Sequence, residues 1–302
     1  MSGSTEGLTR KISGANDLQG VVRSMKALAA SSIGQYEKAV KSLDDYYTTV
    51  EQGLALCLRN GDPASLSIAG KPKHRGAVGA VVFGSDQGLV GRFNDTLAEF
   101  TIDKLKTLPG KTTKVWAVGD RMRALLAETA PTEPSLLSVP ISVRGITPFV
   151  GQILAQIEGA REEGEVVEVY VFHNHWQSGT SYEPVCKQLL PLEHLWQSKL
   201  AKLPWPTKDL PQVIGGVELT LESFVREYLF VLLYQACAES LASENASRLA
   251  AMQRAEKNID NILESLNRTF HRIRQASIDE ELFDVISGFE ALTKPKPGKT
   301  TI

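Results

Sequence analysis

The chain has no glycine and no proline anywhere between Val217 and Ser287. With 24 glycines and 14 prolines in 302 residues, a window of that size would hold about nine by chance, so an ordinary arrangement of short elements and turns is excluded there. All the prolines fall between Pro63 and Pro211, apart from Pro295 and Pro297. Cysteine is scarce as well: Cys57, Cys186 and Cys237 are odd in number and far apart, with no CxxC spacing, which argues for reduced thiols rather than a disulfide or zinc framework. There is no basic surplus. With 33 Lys plus Arg against 35 Asp plus Glu, the net charge of -2 excludes a dedicated nucleic-acid binder, which needs cations to neutralise phosphates. Long apolar runs are missing too. Tyr228–Tyr234, flanked by Arg226, Glu227 and Gln235, is far short of the roughly 20 residues a spanning helix needs. Near the start, Lys11, Arg23 and Lys26 interrupt every apolar stretch, so no secretory leader is expected.

What is present is a seven-residue repeat. Leu8, Ala15, Val22, Ala29, Tyr36, Leu43 and Val50 form one series, and Ile12, Gln19, Lys26, Ile33, Val40, Tyr47 and Leu54 a second one four residues later. Alternating steps of four and three place both series on one side of a helix, with Gln19 and Lys26 as the polar breaks. Five glycines, from Gly7 to Gly53, weaken this helix, which must therefore lean on a partner. The breaker-free window offers one through Met252, Ala255, Ile259, Ile262, Leu266, Phe270, Ile273 and Ala276. Because the two stripes lie at opposite ends of the chain, an intramolecular antiparallel coiled coil is expected, spanning residues 1–60 and 212–292. At about 1.5 Å per residue the second helix would reach roughly 105 Å, far beyond a small domain.

Residues 61–211 read as an inserted Rossmann-like α/β domain. Strands are expected at Ala77–Phe83, Thr113–Val118, Ser135–Val139, Val166–His173 and Tyr182–Leu190. Helices are expected at Asn94–Lys106, Arg121–Glu128 and Thr147–Glu163, the last with a Thr-Pro start. The alternation predicts a largely parallel sheet. The tail at 293–302 reads as flexible.

The glycine-rich loop Phe83–Asn94 sits where a phosphate-binding loop would, between strand and helix, but lacks the GK[ST] ending and the GxGxxG spacing. Its glycines are therefore read as conformational. His173-Asn174-His175 could supply two metal ligands, yet no third has convincing spacing and His194 is only a guess, so these are read as solvated strand-end histidines. Ser85 and Ser178 carry no elbow or triad signature. No catalytic, cofactor or metal residue is assigned.

Several stretches together are similar to the gamma subunit of F-type ATP synthases: Arg10-Lys11-Ile12; Arg23-Ser24-Met25-Lys26-Ala27-Leu28-Ala29-Ala30; Ser85-Asp86-Gln87-Gly88-Leu89 with Gly91 and Asn94; and Glu244-Asn245-Ala246-Ser247-Arg248-Leu249 with Ala251-Met252. The most telling is Arg274-Gln275-Ala276-Ser277-Ile278-Asp279-Glu280-Glu281-Leu282, followed by Ile286-Ser287-Gly288 and Ala291-Leu292. The resemblance runs from about Leu8 to Leu292.

It implies a non-catalytic rotor. The terminal helices would be the shaft inside a ring of three alpha and three beta subunits, with the α/β domain at its foot near the epsilon subunit and the membrane c-ring. Rotation would couple H+ or Na+ translocation to ATP synthesis or hydrolysis in the beta subunits. The expected location is peripheral, on the cytoplasmic face of the inner membrane. Arg274 and Gln275 match positions that contact the beta catch loops, and Met25 and Lys26 match a region facing the lower part of a beta subunit. Asp279 stands where the family commonly has a hydroxyl residue. The basic tract usual after the first helix motif is replaced by Ser31-Ser32-Ile33-Gly34-Gln35-Tyr36. With Asn16-Asp17-Leu18-Gln19 and Ser42-Leu43-Asp44-Asp45-Tyr46-Tyr47, these departures suggest a divergent bacterial or archaeal form, of the alternate Na+-linked type. Two other readings are weighed against this: a Rossmann-like nucleotide enzyme with helical oligomerisation arms, and a passive coiled-coil scaffold.

Overall fold

The computed structural model describes residues 2–60, 77–108, 113–127, 135–192, 194–203, 205, 209, 211–214 and 216–293; the tail reading at 294–302 lies outside them. The chain divides into two compact units, Met1–Lys26 with Met252–Ile302, and Ala27–Ala251.

The first unit is helical. It holds the start of α1 (Ser2–Lys41) and the second half of α7 (Val217–Thr293), a helix of 77 residues. Within it the heptad positions Leu8, Ile12, Ala15, Gln19, Val22 and Lys26 are all half-buried while their neighbours on the far side are exposed. The polar breaks in the stripe have partners: Gln19 Nε2 donates to Asp260 Oδ1 at 2.5 Å and Lys26 Nζ to Glu256 Oε2 at 2.5 Å. Rising number on α1 thus meets falling number on α7, so the pair is antiparallel. On α7 the register differs from the sequence expectation. Ile262 is 52% exposed, and Leu263 is turned inward instead. The inward set Met252, Glu256, Ile259, Leu263, Leu266, Phe270, Ile273 and Ser277 keeps strict four-three alternation; Ala255 is half-buried as expected, whereas Ala276, like Ile262, is exposed.

The second unit is built on a five-stranded sheet of order β3-β2-β1-β4-β5. Its strands are β1 (Ala77–Phe83), β2 (Thr113–Val118), β3 (Ser135–Leu137), β4 (Val166–Ser178) and β5 (Ser181–Leu190). The first four run parallel, and β5 returns antiparallel beside β4. The edge position of β5 tolerates Pro184, which cannot donate to a ladder. Side chains alternate between faces along each strand. Val78, Ala80 and Val82 of β1, with Tyr170 and Phe172 of β4, pack on α3 (Phe93–Thr107) and α4 (Asp120–Ala127). Val81, Phe83, Val169 and Val171 face α5 (Val143–Glu162) and the stretch of α7 around Leu233 and Cys237, joined by Tyr36 of α1. A third cluster joins α2 (Asp44–Asn60) and α6 (His194–Leu200) to the start of α7 through Leu54, Leu200, Leu221 and Tyr228.

Strand β3 stops at Leu137 and β4 runs on to Ser178, and two helices also depart from expectation. The N-terminal helix is broken at Ser42-Leu43, although Leu43, Val50 and Leu54 still carry the buried stripe past the break. Lys38 and Lys41 close α1 while Asp44 and Asp45 open α2, so each end carries the charge its helix dipole favours. Helix α5 begins at Val143, and Pro148 lies inside it, where its missing N–H forfeits one bond in the second turn.

Candidate functional site

Three clusters of polar residues account for most of the motifs read from the sequence. The first is the loop after β1. Ser85 N donates to Asn94 Oδ1 at 3.0 Å, and Asn94 Nδ2 donates back to Ser85 Oγ at 2.8 Å, both residues being buried. The Asp86 carboxylate accepts from the backbone N–H of Asp120 and of Val139, each at 3.1 Å, which ties the ends of β2 and β3 to the loop. Gly91 has φ 56° and Leu89 φ 63°; these left-handed residues turn the chain into α3. The Ser85 N–H is thus spent on Asn94, and the Asp86 carboxylate is spent on the ends of β2 and β3. The positive φ of Gly91 agrees with the conformational reading of the glycines.

The second is a seam of serines along α7. Ser240 Oγ donates to Phe83 O at 3.0 Å, Ser243 Oγ to Asn174 O at 2.8 Å and Ser247 Oγ to Val90 O at 2.5 Å. Spacings of three and four put these hydroxyls on one face of α7, against the ends of β1 and β4 and the loop between β1 and α3. Beside them Arg248 donates to Glu244 Oε1 at 2.5 Å and to Asn245 Oδ1 at 3.2 Å. Burial raises the Glu244 carboxyl above its ordinary value, and Arg248 opposes that shift.

The third was misread in the sequence. His173 is fully buried, not solvated, because β4 continues to Ser178 and α7 covers it. His173 Nε2 lies 2.9 Å and His175 Nδ1 2.7 Å from the same atom, Glu239 Oε2. Burial lowers the His173 pKa. Burial also pushes the Glu239 carboxyl up, but the bonds from both histidines outweigh it and hold it at about 2. Glu239 is the residue that sequence reasoning missed; the only local hint was an acid set among small residues in Ala236-Cys237-Ala238-Glu239-Ser240. The side chain of His194 lies outside the described residues.

The residues expected to make coupling contacts lie in the first unit. Met25 and Lys26 are half-buried on α1; Arg274, Gln275 and Asp279 are exposed on α7 and are not brought together with the other two. Arg274 lines a shallow groove with Thr5, Thr9, Arg10, Phe270 and Ile278. Farther along, Ile278, Leu282, Phe283, Val285, Ile286 and Phe289 are all exposed, Phe283 and Phe289 at 68% and 69%. They spread around more than one face, because Leu282 and Phe283 are about 100° apart on the helix. Ile278 and Glu281 still line the groove with Thr5 and Glu6 of α1, and Leu282 to Phe289 follow them along α7.

A family model described as ATP synthase matches residues 4–292. The ATP synthase gamma chain of Polynucleobacter asymbioticus is 27% identical over 297 residues, covering 96% of this chain and 99% of that one. That of Cupriavidus necator is 27% identical over 296 residues, covering 97% and 100%. Among solved structures, a chain of the Euglena gracilis mitochondrial ATP synthase OSCP/F1/c-ring assembly aligns over 100% of both chains with TM-score 0.68 at 12% identity. A chain of the Tetrahymena thermophila mitochondrial ATP synthase central stalk/c-ring aligns over 78% of this chain and 99% of that one, with TM-score 0.55 at 22% identity. At these identities the structural likeness speaks for the fold.

Proposed function

The chain belongs to the ATP synthase family, and from that premise we propose how it works as the gamma, or central-stalk rotor, subunit. It couples ion translocation to ATP synthesis or hydrolysis, and its partners are the alpha and beta subunits and the c-ring. The observation that carries the mechanism is the end of α7. Five exposed apolar residues from Leu282 to Phe289 follow the turn of α7 that lines a groove with α1. A solvated helix would not spread large apolar residues over so much of its surface, so this stretch suits a sleeve of partner subunits. Turning such an asymmetric tip presents different contacts to successive beta subunits, and only differential contacts can shift their nucleotide affinity.

Within that reading Arg274 and Gln275 touch the beta catch loops, and their exposure beside the apolar tip supports it. Asp279 makes its contact with a carboxylate where a hydroxyl is common. Met25 and Lys26 face the lower part of a beta subunit, with Lys26 divided between that partner and Glu256. The chain itself is non-catalytic, nucleotide turnover residing in beta. The epsilon subunit binds near the α/β domain. None of the described helices is long and apolar enough to cross a membrane; association is peripheral, and we place it on the cytoplasmic face. The departures at Asp279 and Ser31–Tyr36 favour the Na+-linked subtype.

Co-expression with the cognate alpha and beta subunits tests the reading. One copy of this chain should co-purify with the ring and be lost when residues 278–293 are deleted. A ring that assembles and purifies without this chain sinks it. Na+-stimulated ATP hydrolysis by the whole complex tests the subtype, and indifference to Na+ removes it.

A further inference from the structure

We propose that His173, His175 and Glu239 form a binding site for a divalent transition-metal ion of the zinc class, tying strand β4 to helix α7. The three side chains converge from two elements far apart in sequence. Their ligand atoms lie within 4.8 Å of one another, and both imidazole nitrogens approach one carboxylate oxygen, at 2.9 and 2.7 Å. Zinc held by nitrogen and oxygen at about 2.0–2.2 Å in tetrahedral geometry places neighbouring ligands roughly 3.3 Å apart. Each nitrogen–oxygen contact must therefore open by about half an ångström while the two nitrogens, which lie within 4.8 Å of each other, settle at the same spacing for the ion to enter. His175 has the freedom to make that shift, because its ring is 43% exposed while that of His173 is fully enclosed. The exposed side also leaves a fourth position open to water.

Two further features distinguish this cluster from a chance contact. Glu239 Oε1 accepts a hydrogen bond from Gln235 Nε2 at 2.8 Å, one turn back on α7, which leaves Oε2 aimed at the histidines. Ligating carboxylates are held in this way at metal centres. The Glu239 carboxylate is also buried at 6% exposure, and among the described residues no lysine or arginine forms an ion pair with it. A buried carboxylate without a full cationic partner is costly, and a divalent ion supplies that charge. When Nε2 of His173 takes the metal its proton moves to Nδ1, which has no hydrogen-bond partner. Two imidazoles and one carboxylate suit zinc, copper or nickel rather than Mg2+ or Ca2+, which prefer oxygen ligands. The site rests on its own geometry and does not depend on the rotor reading.

The test uses the untagged full-length chain, stripped with chelator and titrated with Zn2+ and, separately, Mg2+. Wild type should bind one Zn2+ per chain by equilibrium dialysis with elemental analysis and ignore Mg2+, and Co2+ in its place should give the visible bands of a four-coordinate site. His175→Ala should lower zinc affinity at least tenfold, with its thermal midpoint read against its own metal-free form because the variant also gives up a bond to the buried Glu239. Gln235→Ala should weaken binding by about 10- to 100-fold, the range for loss of a residue that orients a ligand. Zinc should raise the midpoint of wild type and not of His175→Ala. Sub-stoichiometric zinc in wild type, or equal zinc binding by wild type and His175→Ala, overturns the site and leaves Glu239 as a hydrogen-bonded bridge between two histidines.

Discussion

Lys26 and Glu256 face each other across the antiparallel pair of α1 and α7, Nζ to Oε2 at 2.5 Å, and Arg23 Nε reaches the other oxygen at 3.1 Å. One carboxylate thus meets two cations at the polar break of an otherwise apolar seam, a pairing that fixes register as well as charge. The bonds from Lys26 and Arg23 hold the Glu256 carboxyl below its ordinary value. A carboxyl with a lowered folded-state pKa stabilises above the unfolded value, about 4.3 for glutamate, and that stability is lost as pH falls through the folded value. Glu256→Gln should therefore melt below wild type at pH 7, and the gap should narrow at an acid pH below the ordinary glutamate value of about 4.3. A gap of equal size at both pH values would show that the carboxylate's charge is not what matters. High salt should narrow the neutral-pH gap, since the pair is partly exposed.

Asn94 accepts from the Ser85 N–H and donates to its hydroxyl in a buried site, and that hydroxyl donates in turn to Gln87 O at 2.9 Å. Asn94→Ala should destabilise the chain by about 2 kcal/mol, from an unpaired Ser85 N–H and a lost donor to its hydroxyl together with lost packing. Asn94→Asp keeps the acceptor for the Ser85 N–H but loses the donor, and should fall between wild type and the alanine variant. Urea unfolding reads both, and an alanine variant within about 0.5 kcal/mol of wild type would contradict the account.

These two relationships also show what was legible in the chain. Ser85, Asn94 and the glycines between them are close in sequence, and local turn chemistry announced a shaped loop before α3. The α1 stripe was readable because period alone decides it, and its two polar breaks became intelligible only with Asp260 and Glu256 opposite. The α7 register was misjudged at Ile262 because Ile262 and Leu263 are both apolar, and only the partner helix decides which turns inward. The break at Ser42-Leu43 was written as Lys-x-x-Lys followed by Asp-Asp, a pair of dipole-matched ends, and was masked by the uninterrupted stripe. An acid among small residues hinted at Glu239 alone, and nothing local told of its meeting with His173 and His175, since strand and helix are joined there only by tertiary packing.

Gly119 carries φ 98°, and a Cβ there would lie 2.5 Å from the Ser85 carbonyl carbon and oxygen. Its N–H donates to Leu137 O at 2.8 Å, so the backbone cannot move away without loosening β3. Gly119→Ala combines an unfavourable dihedral with a clash against fixed backbone, and should cost about 2–4 kcal/mol. Gly151, where a Cβ meets nothing within 4 Å and the helix is regular, is the control. Gly151→Ala should be neutral or stabilising by up to about 1 kcal/mol, as alanine exceeds glycine in helix propensity. Thermal melts of the two variants separate the effects, and similar midpoints would refute the strain argument.

Arg274 and Gln275 offer the sharpest separation of stability from function. Both side chains are exposed on α7, and Arg274 borders a shallow groove without being needed to fill it. Surface substitutions of this kind usually stay within about 0.5 kcal/mol, so Arg274→Ala with Gln275→Ala should leave the unfolding of the isolated chain unchanged. If these residues bias the beta subunits toward one nucleotide-binding state, removing them lowers a coupling free energy, and coupling terms of this kind correspond to roughly 5- to 150-fold effects. In reconstituted complexes the double variant should pump at least about fivefold fewer ions per ATP hydrolysed. Phe283→Ser should act differently: it weakens the apolar tip's fit in its sleeve, and so should reduce recovery of the assembled ring before it changes the ion-to-ATP ratio of complexes that do form. Unaltered pumping by Arg274→Ala with Gln275→Ala would move the coupling contacts away from this turn of α7, and the apolar residues beyond it would then have to carry them alone.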